Sequence, residues 1–131
     1  MGLDAENPPS LDHVQVAAPP GCEAPARRFY GELLGLDEVQ KPEALRGRGG
    51  VWFALGGGAQ LHVGVVFDEF AAALKAHPGL RVRDAGALRT LASRLEDGGH
   101  AVSWDEDLPG VRRFFTADPF GNRLELLAAE A

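Results

Sequence analysis

Two hydrophobic periods alternate along the chain, one of two residues and one of three to four. LDHVQVA, residues 11–17, has period two and is rich in valine, which predicts a strand with Val14 and Val16 on one face and His13 and Gln15 on the other. PPGCEAP must then be a loop leading into a helix. Ala26, Phe29, Tyr30, Leu33 and Leu34 recur at helical spacing, Pro25 sits in the first turn and Gly35 stands just past the end. LDEVQ, residues 36–40, predicts a short edge strand and KPEALRGRGG a loop. VWFAL, the turn GGGA and QLHVGVV form a hairpin, residues 51–66, with Leu61 and Val63 on one side and Gln60 and His62 on the other.

The same order then returns. After a connector, residues 67–76, expected to be partly helical, GLRV is a strand whose Leu80 and Val82 face the core. Leu88, Leu91, Ala92 and Leu95 mark one face of a helix ending at Gly98-Gly99, and HAVSW is a strand. VRRFFTA, the turn DPFGN and RLELLA close a second hairpin, in which Gly121 and Asn122 are expected to supply the unusual backbone angles. Gly35 and Gly98, Gly58 and Gly121, Leu61 and Leu124, and Val63 and Leu126 are all 63 positions apart. A helix cap, a turn and a strand at one spacing point to duplication of a βαβββ unit, neither half of which buries its apolar faces well alone. The expected fold class is α+β: module one at about 11–66, module two at about 77–128, and residues 1–10 a disordered or loosely ordered lead.

The polar faces carry the chemistry. Glu125 opposes Leu124 and Leu126 in the last strand, and a carboxylate there needs a cation, a hydrogen-bond network or water. At the repeat spacing Glu125 is equivalent to His62, and His77, one residue off register, to His13. If the two units pack about a pseudo-twofold, His13, His62, His77 and Glu125 converge. Three imidazoles and a carboxylate suit a divalent first-row metal such as Zn, Ni, Mn or Fe(II). Gln15, Trp52, Gln60, Arg81, Phe115 and Arg123 are the substrate-facing candidates by alternation or by repeat.

Composition narrows the partners. A chain of 131 residues, 45% hydrophobic and 24% charged, fits one domain, and a net charge of -6 disfavours nucleic acid. The one cysteine cannot form an internal disulfide, no leader-like or membrane-spanning apolar run occurs, and a soluble cytoplasmic protein is expected.

LDHVQVA, FYGELLGL, VWFALGGGAQLHV, KAHPGLRV and above all FFTADPFGNRLELL resemble the vicinal oxygen chelate superfamily over residues 11–128. That superfamily includes glyoxalase I, fosfomycin and bleomycin resistance proteins, methylmalonyl-CoA epimerase and extradiol dioxygenases. The resemblance implies two βαβββ modules forming a cup-like mixed sheet with helices outside, and metal ligands at His13 and His62 in the first module and His77 and Glu125 in the second. It implies a homodimer, with ligands drawn from one chain or from two. It also implies a metal-dependent enzyme acting on a small oxygenated molecule by isomerase, lyase or ring-cleaving chemistry, with Glu125 as the general base. His62 departs from the Glu or Gln common at that position in glyoxalase I and is a ligand, a group that orients a ligand, or a substrate-binding group. The alternative is a non-catalytic binding or drug-resistance protein of the bleomycin-resistance type.

Plainer readings stand beside these. Glu125 pairs with Arg123 or Arg81 at a wet rim, His100 is an exposed turn residue, Cys22 is an inert thiol, Trp52 and Trp104 are packing residues, and DPFGN is hairpin chemistry alone.

Overall fold

The computed structural model describes residues 7–130, and strands fall in them where alternation predicts. Of the N-terminal lead, residues 1–6 lie outside the described residues and 7–10 hold no regular element. Strands β1 (His13–Ala18), β2 (Glu38–Val39), β3 (Val51–Ala54) and β4 (Gln60–Val65) form one sheet in the order β1-β4-β3-β2. Strands β5 (Gly79–Arg81), β6 (Ser103–Asp105), β7 (Val111–Ala117) and β8 (Arg123–Ala129) form the other in the order β5-β8-β7-β6. The two orders are the same, so the duplication is structural. In each module the outer pair, β1 with β4 and β5 with β8, is parallel and the other pairings are antiparallel. A parallel pair needs a crossover, and each module supplies it with its helix and the strands that follow.

Module one crosses over through α1 (Glu23–Ala26), which runs straight into a π-helical segment, Arg27–Leu33. Gly35 beyond it takes a φ of 77°, as the sequence predicts for a helix stop. Module two crosses over through α2 (Ala85–Asp97), where the Asp84 side chain accepts from the Ala87 backbone N–H and caps the first turn. Phe29, Tyr30 and Leu33 from the first helical segment and Leu88, Leu91 and Leu95 from α2 pack with Val16, Phe53, Leu61, Val63, Phe114, Leu124 and Leu126 in one buried cluster. These strand residues all belong to the apolar faces, so the polar faces are left for the site.

DPFGN does more than turn the chain. Buried Asp118 receives the Tyr30 hydroxyl at 2.6 Å, the Asn122 amide at 2.9 Å, and the backbone N–H groups of Phe120 and Asn122. Asn122 Nδ2 also donates to the Ala17 carbonyl at 2.7 Å, which ties the β7–β8 turn to β1 across the modules. Burial pushes the Tyr30 hydroxyl pKa well up, and the Asp118 charge adds to it, so the phenol stays a donor. Within this turn only Gly121 has a positive φ, 89°; among the described residues no residue other than glycine has one, so the expectation for the Asn122 backbone is corrected. Its contribution is its side chain. His100 is likewise a joint rather than an exposed turn residue: half-buried, it donates from Nδ1 to the Ala117 carbonyl at 3.1 Å and stands edge-on to Phe29 with ring centroids 4.7 Å apart.

Two local expectations fail. Residues 43–48 form a 3-10 helix, Glu43–Arg48, inside the segment read as loop; none of its residues is buried, so hydrophobic period carries no signal there. The Ala-rich connector forms no helix. It must lead from the end of β4 to the start of β5, and Pro78 disfavours helical geometry at His77, the residue after the connector.

Candidate metal centre

The polar faces of the two sheets hold the predicted donors as two pairs. On the first sheet His13 and His62 come from the parallel neighbours β1 and β4, and their rings stack with centroids 4.4 Å apart at 16°. Trp52, directly across from His62 in β3, stacks on it at 3.9 Å and 3°. The three rings thus form a ladder across three strands. His13 Nδ1 lies 2.8 Å from Asp12 Oδ1, which orients the ring and leaves Nε2 without a partner among the described residues. His62 Nε2 lies 2.8 Å from Gln60 Oε1, and the residue is only 5% exposed. Burial first, and then the His13 charge beside it, hold the His62 pKa below the ordinary imidazole value. His62 is therefore a neutral ring near pH 7.

On the second sheet His77, just before β5, meets Glu125 of β8, with Nε2 3.0 Å from Oε1. The register Gly79↔Glu125 and the bond from the Glu125 N–H to the Pro78 carbonyl, 3.0 Å, place the two side chains side by side. His77 Nδ1 faces the Lys75 carbonyl at 2.8 Å. A carbonyl only accepts, so Nδ1 carries a hydrogen, an assignment made from its partner. A 3.0 Å contact from Nε2 to a carboxylate then requires another proton on that line, on the ring or on the acid. The spacing is also that of two adjacent ligands each about 2.1 Å from one ion. The donors suit a divalent metal, which would take the place of that proton.

Glu125 is 9% exposed, and its compensating cation is neither Arg123 nor Arg81. Arg113 of β7 donates from Nη1 to Glu125 Oε2 at 3.3 Å and from Nη2 to Asp105 Oδ2 at 3.3 Å, while its guanidinium lies 5.1 Å from the Phe115 ring. Its Nε is buried without a hydrogen-bond partner among the described residues. Arg123 covers the Phe115 ring at 4.1 Å and Arg81 is exposed. Alternation that puts Phe115 on the polar face puts Arg113 there too, so the signal for Arg113 stands in VRRFFTA; Asp105 carries no comparable one.

Of the substrate-facing candidates, Trp52 and Gln60 touch His62 directly, Phe115 stands edge-on to His77 with centroids 5.6 Å apart, and Gln15 is exposed on the same face as His13. Trp104 is a half-exposed packing residue over Phe114. Burial, then the neighbouring Glu23 charge, raise the Cys22 thiol pKa, as an inert thiol requires. Among the described residues no group of three or more His, Cys, Asp or Glu side chains stands close enough to hold a metal. One chain therefore offers two half-sets, His13 with His62 and His77 with Glu125. No helix among the described residues is long and apolar enough to cross a membrane.

Known structures share this architecture. A protein assigned to the glyoxalase family from Bacillus anthracis is 43% identical, the match covers 95% of this chain and 98% of that one, and the TM-score is 0.86. A lactoylglutathione lyase from Agrobacterium tumefaciens is 20% identical over 92% of this chain and 94% of that one, with a TM-score of 0.70. A genomically encoded fosfomycin resistance protein from Listeria monocytogenes is 14% identical over 92% and 91%, with a TM-score of 0.73. The last two share the fold alone. No protein-family model and no curated protein sequence matches the chain.

Proposed function

From the premise that the chain belongs to the glyoxalase, or vicinal oxygen chelate, superfamily, we propose that it is a metal-dependent enzyme moving a proton on a small oxygenated substrate. His13, His62, His77 and Glu125 are the proposed ligands, with the two half-sets brought together between two copies of the chain in a homodimer. A divalent ion held there supplies Lewis acidity, drawing charge onto neighbouring substrate oxygens.

The chain's own residues do the rest. Lys75 fixes the His77 ring through Nδ1, and Asp12 does the same for His13, so that each presents Nε2 to the centre. Arg113 holds Glu125 Oε2, so Oε1 is the oxygen that would bind the ion. Released from it, Glu125 would act as the general base, taking a proton from the carbon beside the substrate oxygens and returning it at the adjacent carbon. His62 would complete the set with the Gln60 amide turned away and the ring proton carried on Nδ1, and the Trp52 ring covers one of its faces.

The observation that carries this reading is the His77–Glu125 contact, two donors 3.0 Å apart at the spacing of adjacent ligands. Calorimetric titration of the metal-free protein with Zn(II) or Ni(II) should show saturable uptake of about one ion per chain. Glu125→Gln should weaken that uptake. A second reading, a non-catalytic small-molecule binder, is favoured by one feature: Arg113 already neutralises Glu125 without an ion. Absence of ion uptake would decide for the binder.

A further inference from the structure

Residues of the segment 41–50 line one side of an open cavity of about 570 Å3 that shares Trp52 with the His13–His62 ladder. Its floor is unusual. Gly64 of β4 has no side chain, and a Cβ there would stand 2.7 Å from the Gln15 side-chain carbon and 2.8 Å from its oxygen. The Gln15 amide therefore lies down across Gly64, and among the described residues it has no hydrogen-bond partner. A polar amide held flat on the floor of a cavity with both ends unused is a ready ligand contact.

The rim has one sign of charge. Lys41 and Arg48 line the cavity, no Asp or Glu does, and this is in a chain whose net charge is -6. Lys41 Nζ donates to the Gly49 carbonyl at 2.6 Å, which fixes the ammonium at the mouth and leaves two of its three donors unused. Arg48 has no partner among the described residues. Glu23, beside the segment, has Oε2 committed to the Gly50 N–H at 2.7 Å, and Glu43 of the segment and Asp68 next to Phe67 are not among the lining residues. Trp52 and Phe67 add flat apolar walls.

We infer that this cavity binds the acid end of an unsaturated or aromatic carboxylate, its carboxylate between Lys41 and Arg48 and its flat body against Trp52. Resting on the proposed chelating centre for its orientation, the inference makes the substrate bifunctional, with neighbouring oxygens at one end and a carboxylate at the other. Because the cavity is built without any of the four proposed metal ligands, acid recognition does not need the ion.

The test is calorimetric binding to the metal-free full chain in EDTA, with 3,4-dihydroxybenzoate and its methyl ester as probes. A charge-assisted contact predicts that the acid binds at least about tenfold tighter than the ester, and that its affinity falls as salt rises. Arg48→Gln, whose side chain is exposed and makes no hydrogen bond, should remove most of that preference, and the Lys41→Gln, Arg48→Gln pair all of it. Gly64→Ala should weaken both probes by lifting Gln15. Equal affinities for acid and ester, failure of both to bind at millimolar concentration, or an acid preference unchanged in the double variant would each overturn the inference. Acid binding in a chain that takes up no metal would sink the proposed enzyme and leave this site standing.

Discussion

Glu125 looks anomalous in LEL because its neighbours are core residues, and a carboxylate at 9% exposure needs compensation. Arg113 provides it, and does so while holding Asp105 as well, so one guanidinium organises two carboxylates on the β6–β7–β8 face. Sequence repetition gives no hint of this. The position equivalent to Arg113 at the 63-residue spacing is Gly50, where a Cβ would stand 2.2 Å from the Val63 carbonyl oxygen. The modules differ there: at Gly50 the Val63 carbonyl leaves no room for a side chain, whereas Arg113 carries a long one. Arg113→Met should remove the guanidinium that Glu125 and Asp105 share, leaving Glu125 to His77, and cost about 1.5–3 kcal/mol in urea denaturation, the range for hydrogen bonds to charged groups. Arg113→Lys restores the charge without the fork and should recover only part of it. A loss below about 0.5 kcal/mol for Arg113→Met, the level of ordinary surface substitutions, would mean that water does the compensating.

At the scale of elements, amphipathic period located the strands and both helices, most of which have an apolar face against one core; β2 and β6, at the sheet edges, do not. It could not see the Glu43–Arg48 turn, which buries nothing, or the fact that the loop around it is pinned to the first helix. That pin is Glu23. Its Oε2 accepts the Gly50 N–H, joining the start of α1 to the start of β3, and Gly50 is needed there for its φ of 86° as well as for the crowding at Val63. The hydrogen bond from Gly50, first, and other backbone N–H contacts hold the Glu23 carboxyl below the ordinary carboxylate value. A group whose pKa is lowered by folding stabilises the fold above its unfolded pKa, about 4.3, and loses that contribution as pH falls through the lower folded value. Glu23→Gln should therefore be less stable than the parent by a constant margin above about pH 5.5, with the margin shrinking below about pH 4.3. Parallel denaturant midpoints across pH 3–7 measure it; a margin that persists undiminished at pH 3 would rule the carboxylate out as its source.

For the whole molecule, duplication was legible because a strand's period is two and a helix's close to four, so a shared 63-residue offset preserves which residues face the core and which face away. Preserved facing relates His62 to Glu125, while His13 and His77 correspond at an offset one residue longer, as Gln15 across from His62 and Gly79 across from Glu125 show. What an offset cannot encode is how the two faces are disposed in space, and one chain keeps its half-sets apart, with among its described residues no cluster of three ligating side chains. A twofold dimer in which each centre takes His13 and His62 from one copy and His77 and Glu125 from its mate makes an unusual demand. A chain carrying His13→Ala and a chain carrying His77→Ala, each defective alone, should complement when co-expressed: in the heterodimer one centre has lost both histidines and the other has all four ligands. Dual-tag purification followed by elemental analysis should then find about one tightly held ion per heterodimer, and clearly less in either single-variant dimer. If each centre were instead built within one chain, both centres of the heterodimer would lack a ligand and co-expression would recover nothing. The outcome therefore separates the two assemblies without knowledge of the substrate, and does so by stoichiometry rather than by rate.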